Sequence, residues 1–340
     1  MKKYLGILLL LSFSNTIQAQ DFNTSQDSFN FFYENLFEVM KSGYLFKENV
    51  NWEKVESEIN TNLKQYSDFK TSLNEISTFF DLTKADHSRV YYDDQVFSGN
   101  FPGPTKDDFT EQWIKKYKTK PQFEVKVLDN RYGYILLPGM YSDKNVHKQS
   151  QKLYDQINTI KSSNRLQGWV IDLRFNTGGD IYPMLLALYD FLGDNVVWGV
   201  LDINKNLVNE IALKKGKYKA NSKTVSYIKP DGELLDETKV AVLTNIATGS
   251  SGEITALAFK GRKNTIFIGE KTFGKTTANT KADLPFGAFM TLMTGYDCDR
   301  NGNYYEKIIP DIPVLEQDNF DDLLLDGNIQ EAVKFISEQE

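Results

Sequence analysis

From Phe123 onward the chain alternates between short apolar runs and amphipathic stretches, and this alternation limits the folds open to it. Phe123–Leu128 and Tyr132–Leu137 read as a strand hairpin, and 145–162 as a helix. Strands at Trp169–Leu173, Val196–Leu201, Lys239–Leu243, Thr265–Gly269 and Phe289–Met293 follow, with helices at Ile181–Leu192 and Ile254–Lys260 between them. Strands separated by helices over about 130 residues predict an α/β core with a mostly parallel sheet. The preceding residues differ. Phe29, Phe32, Tyr33, Leu36, Phe37 and Met40 recur at spacings of three and four, and Trp52–Tyr66 and Ser72–Leu82 continue the pattern. That periodicity predicts a helical N-terminal region ahead of the core. The expected layout is a helical region over 20–90, a loop or insertion over 91–121 containing the breaker cluster Gly99–Pro104, and an α/β unit over 122–340.

Met1–Ala19 has two lysines, a short apolar run from Leu5 to Phe13 and a small residue at its end. It reads as a secretory signal peptide, too short for a membrane span. The expectation is an exported protein, periplasmic or secreted, with no membrane span. No cysteine follows the expected cut, which argues against a lipid anchor. Loss of Lys2 and Lys3 takes the formal charge from −7 to −9, because the first 19 residues hold no acid. An acidic chain with scattered lysines argues against nucleic acid as a partner. One cysteine, Cys298, precludes an internal disulfide, and with only His87 and His147 no thiolate- or histidine-rich metal site is expected. No cofactor is expected either.

Three turns carry the candidate chemistry. In the stretch Ala241–Glu253, an apolar strand breaks at Thr248-Gly249-Ser250-Ser251-Gly252 into a helix. A serine there is lifted out of the sheet beside the free N–H groups of a helix start. It is either a nucleophile or an ordinary cap. Asp172-Leu-Arg-Phe-Asn-Thr-Gly178-Gly179-Asp180 runs from a strand into a double-glycine turn, where backbone N–H groups can approach a ligand unobstructed. It lacks the phosphate-loop and dinucleotide patterns, so an oxyanion-donor site or a packing turn remains. Gly269-Glu-Lys-Thr-Phe-Gly-Lys275 ends the next strand. In a parallel sheet it opens on the same edge as Ser250, so a desolvated Lys275 could serve as base.

In order and spacing, these three blocks resemble the signature segments of the S41 serine peptidases, which include the C-terminal processing proteases, the tricorn core and the retinoid-binding repeats. The resemblance covers about Tyr132 to Val314. It implies a crotonase/ClpP-like α/β core, a serine nucleophile and a polypeptide or peptide substrate. By the family pattern the nucleophile lands on Ser250, and the N–H groups of Ser251 and of Gly178 or Gly179 would hold the oxyanion. Two base systems are represented. The processing proteases place a lysine at the position of Lys275, with a glutamine where this chain has Asn279. A tricorn-like branch uses a histidine in a segment similar to Asp86-His87-Ser88, with Ser88 assisting and a glutamate similar to Glu306 orienting it. The stretch from Tyr92 to Phe123 is too short for the PDZ module of about 80 residues that usually accompanies the lysine system, and this favours His87. A non-catalytic ligand-binding protein on the same fold is the alternative.

Two other motifs carry less. His147 sits among charged residues and is expected to be solvated. Asp297-Cys-Asp-Arg-Asn-Gly302 begins like a calcium loop, but its twelfth position is Ile308 where a bidentate glutamate is required. A hairpin turn at Asn301-Gly302 accounts for it more simply.

Overall fold

The computed structural model describes residues 25–142 and 145–338. The expected signal peptide at 1–19 lies outside them. Among the described residues, no helix is long and apolar enough to cross a membrane.

The strands of these residues form two sheets. The first runs Ile312–Pro313, Thr265–Gly269, Lys239–Thr244, Gly168–Asp172, Tyr132–Leu136, Glu124–Leu128, parallel except for the final hairpin. Its central strands are buried throughout, as an apolar run covered on both faces requires. The second sheet is antiparallel. It joins Gln95–Phe97 and Arg89–Tyr92 through Phe289–Cys298 and Val196–Leu201 to a meander of Leu207–Lys214, Lys217–Ala220 and Lys223–Tyr227. A mostly parallel sheet thus describes half of the architecture. The meander strands follow one another through tight turns, and such connections permit only antiparallel pairing. The segment 91–121, expected as a loop, holds the strand Gln95–Phe97 and the helix Glu111–Lys118.

The core has three parts. Helices Val146–Ser163, Ile181–Ala187 and Ser251–Phe259 fill the space between the sheets, where Trp169, Leu185, Leu257 and Trp198 belong to one cluster. Gly327–Ser337 closes the outer face of the parallel sheet through Ile329 and Ile336. The N-terminal helices Ser25–Gly43, Trp52–Asn62 and Glu75–Thr83 form a third cluster, which takes in Met290, Leu292 and Met293 of the long antiparallel strand. This last contact positions the site. Glu75–Thr83 ends on Lys84 in the left-handed conformation, and the chain turns through Asp86, His87 and Ser88 into Arg89–Tyr92, whose Arg89 pairs with Thr291.

In the Asp297–Gly302 stretch the long strand ends at Cys298 and the chain turns over Asp299–Gly302. Asp299 Oδ1 accepts from the N–H groups of Asn301 and Asn303, and Cys298 bridges Tyr304 across it. His147 is half-buried rather than solvated. Its ring stacks on Tyr227 and Nδ1 meets Ser226 Oγ at 3.1 Å, which ties a helix to the edge of the meander.

Candidate active site

The strand Lys239–Thr244 ends in a polar turn, and Ser251–Phe259 starts at once behind it, every one of its residues buried. Ser250 sits at the junction with φ 54° and ψ −121°. A non-glycine residue in that region costs about 1–3 kcal/mol and persists only where its surroundings hold it. The Glu253 carboxylate does so. It accepts from the N–H groups of Ser250 (3.1 Å), Gly274 (2.8 Å) and Lys275 (2.7 Å) and from the Thr272 hydroxyl (2.5 Å). Glu253 is fully buried, and burial pushes its carboxyl above the usual range while these donors pull it back.

His87 closes on Ser250 from the N-terminal side. Its Nε2 lies 3.1 Å from Ser250 Oγ and its Nδ1 lies 2.7 Å from Thr277 Oγ1. With Nδ1–H donating to Thr277, Nε2 is left as an acceptor facing the serine hydroxyl. The ring is buried, and burial first, then the charges of Arg89 and Lys275, push its pKa down to about 4. The imidazole is therefore neutral at neutral pH. Asn279, at the position of the family glutamine, donates from Nδ2 to the His87 carbonyl at 3.2 Å.

The other expected residues fall into different places. Lys275 Nζ bonds the Asp86 carboxylate, with the Asp86 carbonyl at 3.3 Å; its ammonium is committed to that acid, and no hydrogen bond joins it to Ser250 among the described residues. Glu306 is exposed, and among the described residues no hydrogen bond joins it to His87. Its carbonyl accepts from Thr276, and the orienting position behind the imidazole belongs to Thr277. Ser88 is buried, and its hydroxyl accepts from the Met293 N–H, filling a gap between strands rather than assisting the base.

Gly178 and Gly179 both have positive φ, 110° and 114°. A Cβ on Gly178 would come within 2.9 Å of Ser250 Cβ, and one on Gly179 within 1.9 Å of the Met140 carbonyl oxygen. Their N–H groups differ. That of Gly178 donates to Asn176 Oδ1, whereas that of Gly179 has no acceptor among the described residues. Ser251 Oγ donates to the Gly179 carbonyl at 2.5 Å and so locks the two turns together. The N–H of Ser251 lies in the first turn of its helix, where no intrahelical acceptor exists.

These groups open on a cleft of about 830 Å³ between the sheets, bordered by Arg89, Tyr182, Trp198, Tyr218 and Phe273 as well as Ser250 and His87. Sequence reasoning missed Thr277 and the role of Glu253. The only signal for Glu253 was its place three residues into the helix behind Ser250, as in a capping box.

Residues 131–314 match the profile of Peptidase family S41, more than half of the chain, and the chain belongs to that family. The nisin-resistance protein of Lactococcus lactis is 33% identical over 163 residues, which is 46% of this chain and 50% of that one. The carboxyl-terminal-processing protease of a Picosynechococcus species is 28% identical over 167 residues, 46% of this chain and 36% of that one. The chain thus spans half or less of the length of these curated relatives. Among solved structures, a lipoprotein from Streptococcus agalactiae superposes with a TM-score of 0.66 at 20% identity, over 94% of this chain and 99% of that one. The photosystem II D1 C-terminal processing protease gives 0.51 at 16% identity, over 83% and 92%. At these identities the likeness is one of fold. His87 lies outside the segment matched by the family profile.

Proposed function

We propose that this chain is an exported serine peptidase that cleaves polypeptide or peptide substrates through an acyl-enzyme on Ser250, with His87 as the general base. The observation that carries the reading is the 3.1 Å contact between His87 Nε2 and Ser250 Oγ, beside two turns that the Ser251 hydroxyl ties together through the Gly179 carbonyl. In the proposed reaction His87 Nε2 takes the proton as Ser250 Oγ attacks the substrate carbonyl carbon. The oxyanion forms within reach of the Gly179 and Ser251 N–H groups, where each such donor contributes about 100- to 1,000-fold in rate. The imidazolium returns the proton to the departing amine. Water then hydrolyses the ester, with the imidazole again taking a proton. Lys275 serves by its charge and its pairing with Asp86, not as the base. The layout we favour is a helical region over 20–90 that supplies the base, set against a crotonase/ClpP-like catalytic unit over 122–340.

A fluorophosphonate probe tests this. The native chain should label, and Ser250→Ala should not. His87→Ala should label about 100-fold or more slowly, the usual contribution of a general base, and Lys275→Met should lose far less. Native labelling rates in His87→Ala would remove the histidine from its role. If the native chain neither labels nor cuts any peptide between about pH 5 and 9, the peptidase reading fails.

A further inference from the structure

Among the described residues, both carboxylate oxygens of Asp297 are buried without a hydrogen-bond donor, and so is Oδ1 of Asn209. In register, Asp297 stands opposite Val200 and Val200 opposite Asn209, across three adjacent antiparallel strands. Residues directly opposite in such strands share a face. All three border the cleft that holds Ser250.

A buried carboxyl with no donor is costly, and in native proteins such a group calls for a reason. Burial and the nearby Glu253 charge hold the Asp297 carboxyl well above the ordinary carboxylate range. No lysine or arginine among the described residues pairs with it, and the lysine that reaches into the same cleft, Lys275, is bound to Asp86. Trp198, Ile211 and Tyr218 line the same cleft, and the Trp198 indole N–H is already donated to the Tyr218 hydroxyl at 3.2 Å. The site therefore lacks a group with an aliphatic stem, to lie along an aromatic wall, and several N–H donors at its tip. Asp297 borders the cleft from a buried position, so a side chain meets its carboxyl only by being long and narrow and by displacing part of the wall.

We propose that Asp297 and Asn209 form a specificity subsite for a lysine or arginine side chain of the polypeptide substrate lying across the cleft. The inference rests on the peptidase reading for the identity of its ligand, and its test is separate from catalysis. The full chain carrying Ser250→Ala is titrated with labelled peptides that differ at one position, lysine against the uncharged norleucine, the position being moved along the peptide. At one position lysine should bind about tenfold or more tightly, the Asp297 carboxyl releasing its proton to solvent as the ammonium arrives, because a charge-assisted bond forms with the carboxylate. Adding Asp297→Asn should abolish that preference, and Asn209→Ala should reduce it. Equal binding of the lysine and norleucine peptides at every position would overturn the subsite, as would a preference that survives Asp297→Asn. Should the Asp297 variant not fold, an unreduced preference in Asn209→Ala overturns it as well. Fluorophosphonate labelling of the native chain reports the peptidase reading independently, so either idea can fail alone.

Discussion

The ring nitrogen of His87 that faces away from Ser250 meets a threonine hydroxyl, and this neutral partner sets the pH range in which the proposed base can work. A carboxylate behind the imidazole would stabilise the imidazolium and raise its pKa. Thr277 only orients the ring, while burial and the charges of Arg89 and Lys275 push the pKa down to about 4. Since the base must be unprotonated, kcat/KM should be flat through neutrality and fall only as pH drops through about 4. In Lys275→Met a cation that opposes protonation is gone and Asp86 is unscreened, so that acid limb should move to higher pH. A limb at the ordinary histidine position in the native chain, unmoved by Lys275→Met, would contradict the electrostatics. Thr277→Val keeps the shape but removes the acceptor. Its kcat should fall about tenfold or more, with Thr277→Ser restoring most of it. Ser250 and His87 were legible in the sequence as candidates because each stands in a short motif, and the fold brings them into contact. Thr277 was not, since it meets His87 across 190 residues and hydroxyls have no spacing signature. Glu306 misled because spacing along the chain says nothing about a side chain turning to solvent.

At the level of elements, one carboxylate joins the start of the serine helix to the turn after the next strand. Glu253 Oε1 accepts from Thr272 and Gly274, and Oε2 from Ser250 and Lys275. Glu253→Gln turns one of those oxygens into an NH₂ that faces donors whichever way the amide lies. Two buried donors lose their acceptor, at about 1–3 kcal/mol each. The variant should melt several degrees lower and label with fluorophosphonate at least about tenfold more slowly, because Ser250 loses the bond that holds its strained backbone. A variant that labels at the native rate would show that the turn does not depend on the carboxylate. The strands around this junction were legible as apolar runs bounded by glycine or polar turns, and Val196–Leu201 and Thr265–Gly269 fall where expected. The meander was not. Lys223–Tyr227 is largely exposed, and Lys217–Ala220 has lysine at alternate positions and one buried residue, so their pattern resembles a solvated loop until the partner strands are known.

Across the whole molecule, the site forms where two cores meet. The α/β unit carries Ser250 and the glycine turns, and the N-terminal helices, anchored on Met290 and Leu292, carry His87 to it. The helical periodicity of that region was readable, but its docking against Phe289–Cys298 was not, because the contact joins residues more than 200 positions apart. The same long strand places Asp297 in the cleft, at a cost in stability that depends on pH. Its carboxyl has a higher pKa in the fold than in the unfolded chain. At pH values below the ordinary carboxylate range, both states hold the proton and the burial costs little. As pH rises through that range the unfolded chain releases its proton while the fold retains it, so stability declines toward neutral pH. Asparagine, which does not ionise, is spared that decline. Asp297→Asn should thus melt near the native temperature at about pH 4 and higher than native by about 2–4 °C or more at neutral pH, the shift expected for each kcal/mol in a large domain. Both His87 and Glu253 are common to the two chains and cancel from the difference. A melting shift that is the same at both pH values, or a loss of stability at neutral pH, would mean that Asp297 finds a donor in the free protein and that the cleft has no vacant acceptor for a basic side chain.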